Sequence, residues 1–547
     1  MNPISSDFTE QMVQPCRQTN LSSEAILAMV NALRCIDRPL FLTFHDGAIS
    51  PKTGETDTIC PTSNETGSVP VIGLATPVLP KNLGDPDFCA ELGIRYAYVG
   101  GSMAKGISSA KISEELGNAG MLGFFGAAGL PFHEVEAAVD RLKKSLGNKP
   151  FGFNLIHSPH EPDLEEELVT LYIKKSIRLI EASAFLALNL NLVRYRTHGI
   201  CRLPDGTIHI PNRIIAKVSR EELAARFFSP PPEKFLKELV SRGELTEDQA
   251  ALATRIPMAQ YITAEADSGG HTDNRPAIVL FPTIKSLAER LEKEFAYDCR
   301  LMAGLGGGIS TPASAAAAFA MGAAYIMTGS VNQACIESGT SDLVREMLTE
   351  TRQADVIMAP AADMFEMGVT VQVLKRGTMF PMRAAKLYEL YRTYANLEEI
   401  PPQERDKLEK TLFLAPLADI WKDTRTFFLN RDPKQVERAE RDPKHLMALV
   451  FRWYLGQAAH WAKDGNPARK MDYQVWTGPS MGAFNEWVSN SFLAKAEQRK
   501  VVTVARNILY GAAVLSRAAM LRSQGIHLPA EAVKNRPLPD SELKEYF

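Results

Sequence analysis

Cysteine is scarce in this sequence and follows no pattern. There are 7 cysteines among 547 residues, none in a C-x-x-C pair, at positions 16, 35, 60, 89, 201, 299 and 335. An odd and scattered set argues against a disulfide framework and a zinc site, and is typical of reduced thiols in a cytoplasmic protein. His157 and His160 in HSPH have the spacing of a metal pair, but no third ligand accompanies them, so no metal site is predicted.

Long apolar runs and a strong net charge are also missing. No apolar segment approaches the roughly 20 residues that a membrane-spanning helix needs. The first residues, MNPISSDFTEQMVQP, lack the charged-then-apolar order of a secretory signal. The net charge of −3 gives no indication that the protein binds a nucleic acid or an anionic membrane. We therefore expect a cytoplasmic globular protein with neither of these partners.

The chain is too long for one compact core and divides into three regions by its patterns. Residues 1–70 are rich in polar turn residues and predict a small N-terminal appendage. Residues 71–345 alternate short apolar runs with amphipathic helices, apart from the hairpin-like CRLPDGTIHIPN and a helical insertion at about 221–257. Residues 346–547 show helical patterns only. Because all five tryptophans lie in this last region, we expect it to have a core or an interface of its own.

The central region predicts an α/β fold with a parallel sheet. Near-continuously apolar strands, each followed by a helix, are typical of a sheet that helices cover on both faces. Eight strands are predicted, near residues 96, 121, 151, 183 (in SAFLALN), 213, 260, 300 and 324. Eight such units in about 250 residues favour a closed TIM (β/α)8 barrel over an open sheet.

Two consecutive glycine loops follow the last two predicted strands. The first is GLGGGIS, in which Thr311 is placed to cap the next helix, and the second is TGS at residues 328–330. Glycine lets the backbone approach an anion closely, and barrels commonly hold a phosphate after strands 7 and 8. Tight turns alone would also explain one such loop, but two in succession favour a phosphate-binding cofactor site.

Other candidate residues stand where predicted strands end. His271 follows strand 6 in DSGGHTDNRP and is suited to donate a proton or hydrogen bond, although a purely structural hydrogen bond explains a loop histidine equally well. Asn154 ends strand 3, and its amide suits the pyrimidine edge of a flavin. Lys217 ends strand 5, and its cation could stabilise negative charge on a flavin. A lysine at the end of a strand is as often part of an ion pair. Gly101, Ser102 and Met103 leave room for a flat cofactor.

Several longer segments carry a family resemblance, with DSGGHTDNRP the most specific. The others are NLGDPDFCAELGIRYAYVGGSMAKGISS, PFGFNLIHSPHEP, HIPNRIIAKVSR, the two glycine loops and GPSMGAFNEWV. In these the chain resembles the PfaD-type, trans-acting enoyl reductases of polyunsaturated fatty acid and polyketide synthases, relatives of the nitronate monooxygenases. Lys105 departs from the small residues that we expect in its loop.

The resemblance implies FMN as cofactor, NADPH (or NADH) as reductant and hydride transfer to an enoyl thioester. This chemistry requires a donor at the thioester carbonyl, and His271 is the candidate for that catalytic role. The predicted cofactor-binding residues are Gly101, Ser102, Met103, Asn154, Lys217, Gly270, Gly306, Gly307, Gly308, Thr328, Gly329 and Ser330.

The implied partner is an acyl carrier protein on another polypeptide, because no Asp-Ser-Leu attachment motif occurs in this chain. The tryptophan-rich helical region is predicted to receive it, with a cationic rim of Arg431, Arg438, Arg441 and Lys444. A nitronate monooxygenase-like flavin oxidase and a non-catalytic docking subunit are the alternative functions. The oligomeric state, a homodimer included, is left open.

Overall fold

The computed structural model describes residues 23–45, 48–54, 71–158 and 162–547. Much of the polar N-terminal segment and His160 of the HSPH motif lie outside these ranges. The first described elements are the helix α1 (Ser23–Arg34) and the strands β1 (Leu40–His45), β2 (Ala48–Thr53) and β3 (Val71–Ala75). The strands form an antiparallel sheet in the order β2-β1-β3, so the sheet includes residues just past the predicted boundary at 70.

The other strands are β4 (Tyr98–Gly100), β5 (Leu122–Phe125), β6 (Gly152–Ile156), β7 (Leu179–Ser183), β8 (Cys201–Arg202), β9 (Ile208–His209), β10 (Arg213–Val218), β11 (Tyr261–Glu265), β12 (Gly270–His271), β13 (Met302–Gly306), β14 (Ile326–Thr328), β15 (Val356–Pro360) and β16 (Thr370–Leu374).

The other helices are α2 (Pro86–Leu92), α3 (Ala110–Asn118), α4 (Phe132–Leu146), α5 (Pro162–Lys174), α6 (Leu190–Thr197), α7 (Glu221–Phe228), α8 (Glu233–Ser241), α9 (Glu247–Ala253), α10 (Ala277–Phe295), α11 (Pro312–Ala320), α12 (Ser330–Gln333), α13 (Asp342–Thr349), α14 (Phe380–Thr393), α15 (Pro402–Leu408), α16 (Leu417–Arg431), α17 (Pro433–Arg441), α18 (Pro443–Asp464), α19 (Ser480–Val488), α20 (Val501–Ser523) and α21 (Asp540–Leu543).

The predicted barrel is confirmed. Eight parallel strands close in the order β4-β5-β6-β7-β10-β11-β13-β14, which is their order along the chain. Apolar side chains fill the barrel interior, and α2 inserts Phe88, which stacks on Tyr325 at a ring-centroid distance of 4.2 Å. A packed interior leaves the loops at the carboxyl ends of the strands as the place for a site.

The predicted position of strand 4 is wrong. The strand is Leu179–Ser183, and the apolar letters of SAFLALN mostly follow it, beginning with Ala184 at φ +58°. The physical reason is Glu181, a fully buried carboxylate in the middle of the strand, which interrupts its apolar pattern. The hairpin β8–β9 and the helices α8 and α9 confirm the two predicted interruptions of the repeat.

The prediction that strands end at residue 345 is also wrong. The strands β15 and β16 form an antiparallel hairpin, and β12 pairs with β16 to complete a three-stranded sheet outside the barrel. This sheet joins the helical segment up to α18 in a second hydrophobic core, as expected from the tryptophans. We call residues 356–476, which contain this core, the cap unit.

The later helices return to the barrel, where α20 packs on α11. Within the described ranges, no helix combines the length and apolarity required to cross a membrane.

Candidate active site

A cavity of about 820 Å³ lies between the carboxyl ends of the barrel strands and the cap unit. Its volume is at the upper end of the roughly 300–1,000 Å³ that is usual for small-molecule pockets. Every predicted site residue lines it, from six separate segments of the chain: Gly101, Ser102, Met103, Asn154, Lys217, Gly270, His271, Gly306, Gly307, Gly308, Thr328, Gly329 and Ser330.

The two glycine loops form one open cradle. Gly307 and Gly308 have φ of +77° and +75°, a left-handed backbone that favours glycine. A Cβ added to Gly308 or Gly329 would meet no atom within 4 Å, whereas one on Gly307 would approach the backbone of Ala266 at 2.6 Å. Among the described residues, no backbone carbonyl pairs with the N–H groups of Gly307, Gly308, Gly329 or Ser330. Unpaired N–H donors around an open space fit an anion such as a phosphate.

The floor of the cavity holds a buried charge cluster around Lys217. Its Nζ lies 3.3 Å from Glu265 Oε1 and 3.8 Å from Glu181 Oε2. Burial opposes the charge of Lys217, but the two carboxylates together raise its pKa. Burial also raises the pKa of Glu181, against the lowering effects of Lys217 and of Ser102, which donates to this carboxylate from both N and Oγ. Lys217 is therefore a paired cation. An ion pair was the alternative to flavin binding that the sequence left open for this residue.

Two predicted side chains are engaged inside the barrel. Asn154 Nδ2 donates to Ser183 Oγ at 2.6 Å. Thr328 Oγ1 donates to the buried Tyr98 hydroxyl at 2.7 Å and accepts from Asn332 Nδ2 at 3.0 Å. Thr328 thus contributes its backbone to the cavity wall, while its hydroxyl holds the strand end in place.

His271 stands on β12 and faces an acidic partner from the cap unit. Its Nε2 lies 3.3 Å from Asp363 Oδ1, in the loop that joins β15 to β16. Burial favours the neutral imidazole, but Asp363 outweighs it and raises the pKa of His271. Burial likewise opposes the charge of Asp363, and His271 lowers the pKa of this carboxyl below its ordinary value. The pair thus favours a protonated imidazole at the cavity wall.

The loop that carries His271 is held from outside the barrel. Gln372 on β16 donates from Nε2 to Asp267 Oδ1 and to Ser268 O, both at 2.7 Å. Asn274 Nδ2 donates to the same Asp267 oxygen at 2.9 Å. The cap sheet therefore sets the position of the His271 loop as well as the ionisation of its imidazole.

A second histidine lines the same cavity, with a different partner. His157 Nδ1 lies 3.3 Å from the buried carboxylate of Glu165, and its ring stacks on Phe185 at 5.0 Å. Asn189 Nδ2 also donates to Glu165, at 2.6 Å. The spacing in HSPH pointed only to a metal pair for His157, and the structure instead gives this histidine a carboxylate partner.

Sequence reasoning missed most of the cavity wall that the cap unit contributes. This wall consists of large side chains on α16 and α18 and near β16, namely Phe427, Phe428, Arg431, Arg452, Trp453, His460, Trp461 and Trp476. Lys105, at φ +58°, reaches this wall and donates from Nζ to Gly456 O at 3.1 Å. One residue of the predicted cationic rim, Lys444, donates from its ammonium group to the carbonyls of Tyr391 and Tyr394. Its charge therefore stabilises the fold and is not part of an open cationic surface.

Comparisons with known proteins agree with this architecture. The chain is 49% identical over 461 residues to a polyunsaturated fatty acid synthase subunit of a Thraustochytrium species, a match covering 82% of this chain and 31% of that protein. It is 41% identical over 456 residues to polyketide biosynthesis protein PksE of Bacillus subtilis, a match covering 83% of this chain and 59% of that protein. The chain thus spans only part of these curated relatives.

A solved structure decides the family. The enoyl reductase domain of MlnA, from the macrolactin biosynthesis cluster of Bacillus amyloliquefaciens, superposes with a TM-score of 0.76 and 40% identity, over 81% of this chain and 99% of that domain. The chain belongs to the PfaD-type enoyl reductase family.

The cap unit of this PfaD-type chain has a similarity of its own. A family described as the inserted helical domain of [acyl-carrier-protein] S-malonyltransferase matches residues 394–473. These residues contain α16, α17 and α18, and so most of the missed wall.

Proposed function

We propose that this protein is an FMN-dependent, NAD(P)H-consuming enoyl reductase that acts in trans on enoyl thioesters carried by an acyl carrier protein. The observation that carries the proposal is the cavity in which the glycine cradle, His271 and Lys217 meet. Family membership supports the oxidoreductase class, and the relatives named as synthase components support a carrier-bound substrate.

The residues fit FMN at the phosphate end. The unpaired N–H groups of Gly307, Gly308, Gly329 and Ser330 would hold its phosphate, and the space around Gly329 would admit the phosphate oxygens. Bound FMN supplies hydride acceptance and donation, which no amino-acid side chain provides. Lys217 and its two carboxylates would form a polar floor beside the bound cofactor.

The protein's own residues supply binding and polarisation. A protonated His271, stabilised by Asp363, is suited to donate a hydrogen bond to the thioester carbonyl as negative charge develops on it. The cap unit contacts the His271 loop through Asp363 and Gln372, and its aromatic side chains line the rest of the cavity. The geometry therefore supports reduction of a double bond conjugated to a carbonyl.

The test is a two-step spectroscopic experiment on the purified full chain. We expect one non-covalent FMN per chain, bleaching of its visible absorption by NADPH without oxygen, and reoxidation by crotonyl-pantetheine. Nitroethane in place of both NADPH and the thioester is the control for a nitronate monooxygenase-like oxidase. A protein that does not take up FMN, or a flavin that the thioester fails to reoxidise, would overturn the proposal.

A further inference from the structure

One face of α18 forms a long stretch of the cavity wall. The residues on this face are three or four positions apart, as expected for one stripe of a helix, and comprise Leu449, Arg452, Trp453, Gly456, Gln457, His460 and Trp461. Large side chains stand at every position of the stripe except Gly456, which lies in the middle of the helix. The wall therefore has one gap.

Nothing in the described part of the protein requires a glycine at this gap. A Cβ added to Gly456 would meet no atom within 4 Å, so close packing is not the reason. Its φ is not among the positive values found elsewhere in the chain, so backbone conformation is not the reason either. The bond from Lys105 uses the carbonyl of Gly456, which any residue has. Glycine in a helix interior also destabilises the helix relative to alanine.

Both aromatic and cationic side chains surround the gap: Arg452, Trp453 and His460 stand one helical turn from Gly456, and Lys105 Nζ lies 3.1 Å from its carbonyl oxygen. Trp453 packs edge to face on Trp461 at a ring-centroid distance of 6.0 Å, and Phe427 and Phe428 line the same cavity from α16. This end is continuous with the polar end, where His271 and Lys217 lie. The aromatic part of this wall is suited to bind the apolar extension of a molecule that reacts at the polar end.

We propose that the gap at Gly456 admits the acyl chain of the substrate beyond its reacting double bond, and that Gly456 thereby selects for long acyl chains. This inference rests on the proposed function and names the substrate class of the same site. An apolar pocket that loses the room for a few methylene groups discriminates between chain lengths by about 10- to 200-fold.

The experiment compares trans-2-dodecenoyl-pantetheine with crotonyl-pantetheine as substrates of the full-length protein with FMN and NADPH. We expect Gly456→Leu to lower the ratio of kcat/KM for the long chain to that for the short chain at least about tenfold. Gly456→Ala should lower the ratio less and should keep or raise the Tm, because alanine favours the helix. Gly54→Leu is the matched control, since its Cβ would also meet nothing within 4 Å and it lies outside the cavity.

The outcomes separate this inference from the function on which it rests. If the unaltered protein reduces neither thioester, the proposed function is overturned and the inference falls with it. If the protein reduces both but Gly456→Leu lowers the two kcat/KM values equally, the inference alone is overturned. A rise in the KM for NADPH without any change in the ratio would assign the gap to the nicotinamide nucleotide and would also overturn it.

Discussion

The barrel mouth and the cap unit line the same cavity, yet they differ in how their residues come to be there. Residues at the mouth stand where a strand ends and the chain must turn, and glycines and polar side chains mark these points. Wall residues of the cap unit stand on long helices whose other faces are buried in a second core. The mouth is thus built for close approach to polar groups, and the wall for apolar contact.

The two regions therefore contribute different groups to the site. The mouth offers unpaired N–H groups and the paired cation Lys217, which suit a cofactor. The cap unit offers aromatic rings, which suit the rest of a substrate, and Asp363, which acts on His271 across the boundary. Variants at the glycine cradle should therefore affect every reaction of the protein, variants at His271 should affect the thioester half-reaction, and variants in the cap unit should affect one substrate or one pH range.

The largest effect is expected at the glycine cradle. Gly329→Leu should abolish FMN retention while leaving the far-UV circular dichroism unchanged, because its side chain would enter open space rather than protein atoms. Flavin content after gel filtration is the measurement. Gly307→Leu is a poor substitute, since its Cβ would collide with the backbone of Ala266 and disturb the loop itself. Normal flavin content in Gly329→Leu would show that the cofactor lies elsewhere.

A large but selective effect is expected at His271. His271→Ala should slow reoxidation of the reduced flavin by crotonyl-pantetheine by about 100- to 10,000-fold, the usual contribution of a positioned acid or donor. Reduction of the flavin by NADPH should change far less. Rapid-mixing measurements of the two half-reactions provide the test. Equal losses in both half-reactions would mean that His271 positions the cofactor, which is the role proposed for the glycine cradle.

Asp363 tests the connection between the two regions. It raises the pKa of His271, so the imidazole stays protonated to higher pH than an isolated one. In Asp363→Asn burial and Lys217 lower the pKa of His271 against only the smaller raising effect of Glu265, so the protonated form should be lost at lower pH. The falling alkaline limb of kcat/KM for crotonyl-pantetheine should then move to lower pH. An unchanged profile would mean that the limb reports another group.

The sequence predicted the mouth well because its signals are local. Glycine runs and strand ends identified the cradle, Lys217 and His271, and all of these residues line the cavity. Their partners were missed because closure of the barrel and pairing with β16 bring them together. Glu181 lies 36 residues before Lys217, and Asp363 lies 92 residues after His271. A carboxylate within the apolar run LIEAS was the signal that would have identified Glu181.

The wall was not predictable in the same way. Phe427 and Trp453 lie in helical patterns that are equally typical of residues buried in a core. Which stripe faces a cavity depends on how the cap unit docks on the barrel, and no local pattern encodes that. The strands β15 and β16 were missed too, and they hold the His271 loop through Gln372.

The smallest effect is expected on the outer surface of the cap unit. Carrier proteins are usually acidic, so reversing the charge of the exposed Arg441 on α17 should lower kcat/KM for a carrier-bound enoyl thioester roughly 2- to 10-fold at low salt. The pantetheine thioester should be unaffected. Lys144→Glu, on the barrel helix α4, is the matched control. Equal responses of the two substrates to Arg441→Glu would argue against carrier docking on α17.

The buried Arg517 has a consequence for the order in which this protein is made. Its guanidinium donates to the carbonyls of Leu33 at 2.9 Å and Arg38 at 2.8 Å, so α20 binds the turn that follows α1. These groups are 484 and 479 residues apart, and synthesis at about 5–20 residues per second separates them by roughly 25–100 s. During that time the α1 turn on a nascent chain lacks its buried partner. The α1 turn therefore leaves the ribosome long before α20 and reaches these native contacts only once α20 has been made.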